Sequence, residues 1–215
     1  MKTVLDPAVY EAWYHTSRGR WIANAEFVLM MRHLQPRDGA SLLDVGCGTG
    51  YFSRRFAQSG LQVTGIDPDN TMIAFAQTRD GAVNYLPGNA LSLPFADRSF
   101  DYSTAITSLC FVDNPVHALR EMLRVTRHSV TVGLLNRHSR LYHQKHGHGS
   151  YKGARWDSVS DIKRWVTEIG LPLHMEVRSA IFFPSAIFAA RIAERVISNR
   201  LPLGGFLMVS FTDTK

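Results

Sequence analysis

The run Leu42-Leu43-Asp44-Val45-Gly46-Cys47-Gly48-Thr49-Gly50 decides the fold. Ser41–Val45 is a short apolar run that ends in glycines, and Phe52 and Phe56 then recur at helical spacing up to Gly60. That pattern is a buried strand, a glycine loop and a helix. Further strands follow at Leu61–Asp67, Val83–Leu86, Phe100–Thr107 and Ser129–Leu135, with helical spacing over Asp69–Arg79 and Asn114–Thr126. Strands alternating with helices predict a doubly wound, mostly parallel α/β sheet with helices on both faces. Ligands of such sheets bind beyond the carboxyl ends of the strands, where the topology reverses. Glycines there let the backbone approach a ligand closely.

The loop spacing separates two ligand classes. A dinucleotide fingerprint needs G-x-G-x-x-G. Gly46 and Gly48 fit it, but Tyr51 stands where the third glycine belongs. Asp44 would repel a pyrophosphate, whereas a ligand bearing an ammonium group would favour it. A plain turn without a ligand is the remaining reading. The pattern D-V-G-C-G-T-G resembles motif I of the class I S-adenosylmethionine-dependent methyltransferases, whose usual form is (D/E)-x-G-x-G-x-G.

Other positions extend the resemblance in order. Asp67, followed by Pro68, closes the second strand 17 residues after Gly50. The family has there an acid that accepts hydrogen bonds from both ribose hydroxyls, a task suited to a carboxylate. Met72 matches an apolar residue packed on the adenine, with simple core packing as its alternative. Gly88-Asn89-Ala90 and Leu93-Pro94-Phe95 resemble the G-D-A-x-x-L-P-F element beside the adenine, with Asn89 in place of the usual Asp. Ser99-Phe100-Asp101 resembles the start of the fourth strand, and Leu119–Val125 resembles the L-x-E-x-x-R-V helix before the fifth. Arg127-His128-Ser129 replaces the family's P-G-G turn. The match spans roughly Gly39 to Leu135. It implies a Rossmann-like, seven-stranded sheet whose last strand is antiparallel. It also implies S-adenosyl-L-methionine as cofactor, held by Asp44, Gly46, Cys47, Gly48, Gly50, Asp67, Pro68, Met72, Asn89, Ala90 and Thr107.

One domain of 215 residues is expected. Residues 1–38 read as N-terminal lid helices and 39–135 as the cofactor-binding core. Residues 136–157 read as a substrate-side loop, and 158–215 as the rest of the sheet with an inserted helix near Ser185–Ser198. Methyl transfer is a one-step displacement governed by positioning, so no motif marks a catalytic residue. Tyr14 and His15 are the candidate bases, within an aromatic stripe (Trp13, Tyr14, Trp21) that reads equally as packed core. Arg18 or Arg20 is a candidate partner for the cofactor's carboxylate. Cys110 is a candidate for the acceptor pocket, with a buried thiol as its alternative. His138, His143, His146 and His148 have ligand-like spacing, but no cysteine or carboxylate joins them in the loop. The expectation is a solvated loop and no metal.

Composition bounds the function. The chain is 45% apolar and 20% charged, which suits a globular protein. No apolar run reaches the ~18 residues of a membrane span. The N-terminus lacks an apolar signal core, and only Cys47 and Cys110 occur, so the expected compartment is the cytoplasm. The net charge of +6 is local. Arg120–Arg164 holds ten Lys/Arg against three acids, and the remainder is slightly acidic. A small-molecule acceptor, anionic to suit that segment, is the first expectation. An RNA or other macromolecular methyltransferase and a non-catalytic cofactor-binding protein are the alternatives. Against RNA stands the lack of an interleaved aromatic–basic platform.

Overall fold

In the computed structural model, residues 6–79, 81–184, 192, 194 and 196–213 are described. Seven strands form one sheet: β1 Ser41–Val45, β2 Gln62–Asp67, β3 Asn84–Pro87, β4 Phe100–Ile106, β5 Thr126–Leu135, β6 Leu173–Ala180 and β7 Phe206–Asp213. Their spatial order is β3-β2-β1-β4-β5-β7-β6. The pairs from β3 to β5 are parallel, while β7 runs antiparallel to both β5 and β6. The order reverses between β1 and β4, which places the glycine loop at the switch point.

The helices are α1 Pro7–Tyr14, α2 Ser17–Leu34, α3 Tyr51–Gln58, α4 Asn70–Gln77, α5 Pro115–Val125, α6 Arg140–Lys145 and α7 Val159–Ile169. Adjacent residues of β1 serve opposite faces, as the strand period requires. Leu42 packs with α2, α3 and α4 residues (Met30, Phe56, Ile73), and Leu43 packs with α5 and α7 residues (Leu119, Ile162). Local chemistry fixes the helix ends. The Asn114 side chain caps α5 with Pro115 at its first position. Ser158 and Asp161 form a capping box on α7, and Gly170 ends it at φ 72.

Two expectations change, those for the start of β5 and for the excursion, and two others take the following form. The N-terminal helical pattern is two helices, because Thr16 caps a second one through the Gly19 N–H. Strand β5 begins directly after α5, at Thr126, with a register shift against Phe100–Tyr102 in place of a glycine turn. The excursion 136–157 is not a plain solvated loop. It carries α6 and a one-turn helix at Gly149–Tyr151, and Leu141 and Trp156 bury a small core with Leu135 and Cys110. An Asn136–Asp157 bridge closes its base. The helix expected near Ser185–Ser198 lies largely outside the described residues. Of its expected apolar face, Ile187 and Phe188 are not described, and Ile192 and Val196 are exposed. Among the described residues no helix is long and apolar enough to cross a membrane.

Candidate cofactor site

The loop after β1 is built from three left-handed glycines, Gly46, Gly48 and Gly50 (φ 74, 54 and 76). Their reasons differ. A Cβ on Gly46 would sit 2.4 Å from Ser108 Cβ, and one on Gly50 would sit 2.2 Å from the Tyr85 hydroxyl. These two are demanded by packing. Gly48 has only Tyr10 Cε1, at 4.0 Å, near its missing Cβ. Open space above one backbone position, in a loop otherwise packed tight, is a cradle that a ligand can enter.

Polar contacts hold the cradle. The Gly46 and Cys47 N–H groups donate to Ile66 O at 2.8 and 2.9 Å. The Gly48 N–H donates to Asp67 Oδ2 and the Asp69 N–H to Asp67 Oδ1, both at 2.9 Å. Burial raises the Asp67 carboxyl from its ordinary value, and these two amides oppose the rise. Each of its oxygens keeps a lone pair for a further donor. Asp44 lies beneath the loop, 2% exposed, and accepts from Ser53 Oγ at 2.6 Å and Thr104 Oγ1 at 3.4 Å. Burial pushes it up to about 6. It ties β1, β4 and α3 together. Burial also drives the Cys47 thiol far above its usual range, and its sulfur points towards Gly65.

The structure gathers the other expected residues around β2, β3 and β4. Met72 is buried on α4, yet belongs to none of the three apolar clusters. Ala90 is 9% exposed and packs beside Ile66 and Leu93. Pro68 is exposed on the rim, as is Asn89, whose Oδ1 accepts from the Leu91 N–H at 2.9 Å. Thr107 takes a left-handed φ of 49, with its N–H on Gly133 O, at the end of β4. Ser108 Oγ donates to Val45 O at 2.7 Å and so joins the two loops.

The two candidate bases are placed differently. Tyr14 is 5% exposed, stacks on Tyr51 at 3.9 Å and shares a 3.1 Å hydrogen bond with the Tyr10 hydroxyl. Burial holds its phenol well above the ordinary range, so it keeps its proton. His15 is exposed and lines an outer cleft of about 630 Å³ with Arg20, Arg54, Arg55 and Arg79. None of the loop glycines lines that cleft. Arg20 lines that cleft, while Arg18 has a buried Nε without a hydrogen-bond partner. Cys110 is a buried thiol pushed up to about 12 by desolvation.

The four histidines of the excursion serve its own packing or face solvent. His146 lies against the Tyr142 and Trp156 rings, and His148 Nδ1 bonds His146 O. Among the described residues, no group of three or more His, Cys, Asp or Glu is gathered to hold a metal. Two residues escaped the sequence reading: Tyr10, which overlooks Gly48, and Glu26, a carboxyl 9% exposed on α2. The available signal for Glu26 was an acid inside the apolar stripe Ile22, Ala23, Phe27 and Met30.

Comparison with known proteins agrees with this geometry. Residues 43–132 match the family model of the methyltransferase domain. Over 98 residues the chain is 39% identical to a malonyl-[acyl-carrier protein] O-methyltransferase of Erwinia pyrifoliae, covering 46% of this chain and 37% of that protein. Over 89 residues it is 42% identical to a demethylmenaquinone methyltransferase of Renibacterium salmoninarum, covering 41% and 38%. The chain thus spans little more than a third of the length of these curated relatives. A crystal structure from Thermotoga maritima, titled an S-adenosylmethionine-dependent methyltransferase and possible histamine N-methyltransferase, covers 96% of both chains. Its TM-score is 0.77 and its identity 27%. The glycine cradle at the switch point, the domain model matched over residues 43–132 and the end-to-end structural likeness make the chain similar to S-adenosylmethionine-dependent methyltransferases.

Proposed function

We propose that this chain transfers a methyl group from S-adenosylmethionine to a small-molecule acceptor. The observation that carries the reading is Gly48. It alone of the three loop glycines faces open space, and its amide is fixed by the Asp67 carboxylate.

The residues present fit the cofactor. In this reading the methionine portion crosses the backbone at Gly46, Cys47, Gly48 and Gly50, and Asp67 receives the ribose hydroxyls on its spare lone pairs. Met72 and Ala90 flank the adenine, Pro68 and Asn89 form its rim, and Thr107 borders the reacting end. Asp44 acts from below, through Ser53 and Thr104. When bound, S-adenosylmethionine supplies a methyl group already activated on a sulfonium. The chain's own work is to bind, orient and exclude water. Residues 1–38 act as the lid in this reading. Arg54 on α3 pairs with Glu11 on α1 and donates to Thr49 O, which couples lid and loop. Residues 39–135 bind the cofactor, 136–157 close the acceptor side, and 158–215 complete the sheet. Both cysteines are free thiols, which accords with action in the cytoplasm.

A small acceptor is supported by the relatives, named for malonyl-[acyl-carrier protein] and demethylmenaquinone, and by the neighbour titled for histamine. The basic segment gives little support to an anionic acceptor or to RNA. Arg155 donates to Leu109 O, Val112 O and Asp157, while Arg137 donates to Trp156 O and pairs with Asp161. Arg124 and Arg127 are likewise paired with internal acids. These charges hold the fold together.

The test has two parts. Calorimetry should show S-adenosylhomocysteine binding, weakened by Asp67→Ala and nearly abolished by Gly48→Val. Labelled methyl transfer into a panel of small acids, phenols and amines, histamine included, should label at least one. Unchanged affinity in both variants, or tight cofactor binding with no transfer to any panel member or cell extract, would contradict the proposal.

A further inference from the structure

The structure holds a buried acid that neither the cofactor site nor the core uses. Glu26 is 9% exposed on α2 and makes no hydrogen bond or ion pair among the described residues. Burial without a partner disfavours the charged carboxylate, and a cationic ligand would offset that cost. The surroundings of Glu26 locate it. The Tyr10 hydroxyl lies within electrostatic reach of Glu26, Cys110 and Asp67 together, and the Tyr10 ring edge overlooks Gly48. Tyr10 therefore neighbours both the cofactor cradle and Glu26. Glu26 sits on α2 among Ile22, Ala23, Phe27 and Met30, which pack in one cluster with Tyr10 and Tyr14 of α1. Tyr14, and Tyr151 of the excursion, also feel its charge.

We propose that Glu26 faces the methyl acceptor and that the acceptor is an amine, whose ammonium the carboxyl binds and deprotonates. This rests on the cofactor reading above and names the substrate class of the same site. An ammonium supplies the charge that offsets the desolvation of a buried carboxylate. An alcohol brings no charge, and a carboxylate brings the wrong one. The Tyr10 and Tyr14 rings, packed with the same face of α2, suit a cation as well. Arg18, on the Tyr151 side, offers its unpartnered Nε to a hydrogen-bond acceptor elsewhere on the same molecule.

Burial fits Glu26 for the proton step. It pushes the carboxyl up to about 8. A bound ammonium favours the carboxylate and opposes that rise, but once the proton has moved both groups are neutral and neither charge stays buried. The proton of the bound ammonium passes to Glu26 and frees the nitrogen lone pair. That pair forms the new C–N bond as the carbon–sulfur bond breaks, and the bonding electrons remain on sulfur as the neutral thioether. The product leaves as the methylated ammonium, and Glu26 releases its proton to solvent before the next turnover.

The experiment is calorimetry on the full chain saturated with S-adenosylhomocysteine, at pH 7.5. The probes are n-butylamine, 2-phenylethylamine, 2-phenylethanol and 3-phenylpropionate. At least one amine should bind about tenfold or more tighter than the alcohol and the acid. Glu26→Gln should lose about tenfold or more of that amine affinity while keeping its S-adenosylhomocysteine affinity, which also reports its folding. Should Glu26→Gln not fold, Glu26→Ala, which likewise removes the carboxyl, carries the same comparison. Absence of amine binding, preference for the alcohol or acid, or an unaltered amine affinity in the variant would overturn the proposal. Failure of S-adenosylhomocysteine itself to bind would overturn the cofactor reading first, so the two failures are distinct.

Discussion

At the scale of single residues, the three loop glycines give separable outcomes. Gly50→Ala forces a side chain into Tyr85 at a left-handed φ, and should cost about 2–4 kcal/mol of stability. Gly48→Ala carries only the φ strain, about 1 kcal/mol, because nothing packs against its Cβ. Its cost should fall on S-adenosylhomocysteine affinity, about tenfold or more. Thermal melts and calorimetry on the pair test this. Equal destabilisation with retained affinity would show that Gly48 is a packing glycine like its neighbours. Asp67→Ala should lose at least ~1 kcal/mol of binding free energy, through its charged hydrogen bonds. Glu26 predicts a pH effect of definite sign. Its carboxyl rises from 4.5 to about 8 on folding because burial disfavours the charge. Its contribution is complete below about 4.5 and is lost as the pH rises through about 8. Glu26→Gln should therefore gain stability relative to wild type as the pH goes from 5 to 9, and parallel melting profiles would contradict this.

At the scale of elements, the residues that resembled a helix motif prove to be a clamp. Glu121 accepts the Leu93 N–H, and Arg124 donates to Leu93 O, Phe95 O, Asp97 and Glu121. Helix α5 thereby fixes the Leu93–Phe95 segment that follows Asn89-Ala90. Arg124→Ala should cost about 2 kcal/mol of stability through these bonds. It should weaken cofactor binding less than Asp67→Ala does, as denaturant titration and calorimetry would show. The sequence made β1, β2, α3 and α5 legible because period and punctuation agree there: apolar runs closed by Gly or Pro, α3 set between Gly50 and Gly60, and α5 opened by Asn114. It hid the excursion's structure. Leu141 and Trp156 read as isolated apolar residues among basic ones, and they find a core only when Leu135 and Cys110 arrive from other elements. The break between α1 and α2 was hidden for a different reason. Thr16 interrupts a stripe of aromatics that continues on both sides.

At the scale of the whole molecule, the doubly wound order puts every cofactor candidate on one sheet edge. The parallel strands β1, β2 and β4 end there, and the glycine loop, Asp67 and Thr107 follow from those ends. That placement was legible because motif I, Asp67 and Asn89-Ala90 occur in chain order on successive strands. The surroundings of Glu26 were not. Tyr10, Glu26 and Tyr151 come from segments with no shared spacing. Likewise, the basic segment looked available to an anion until its arginines were seen to hold carbonyls and carboxylates of the same chain. The most direct test is a crystal structure grown with S-adenosylhomocysteine. The expected result is the ligand across Gly48, with its ribose hydroxyls on Asp67. A ligand in the arginine cleft outside α3, or a cradle that stays empty with S-adenosylhomocysteine yet takes up NADH, would contradict it.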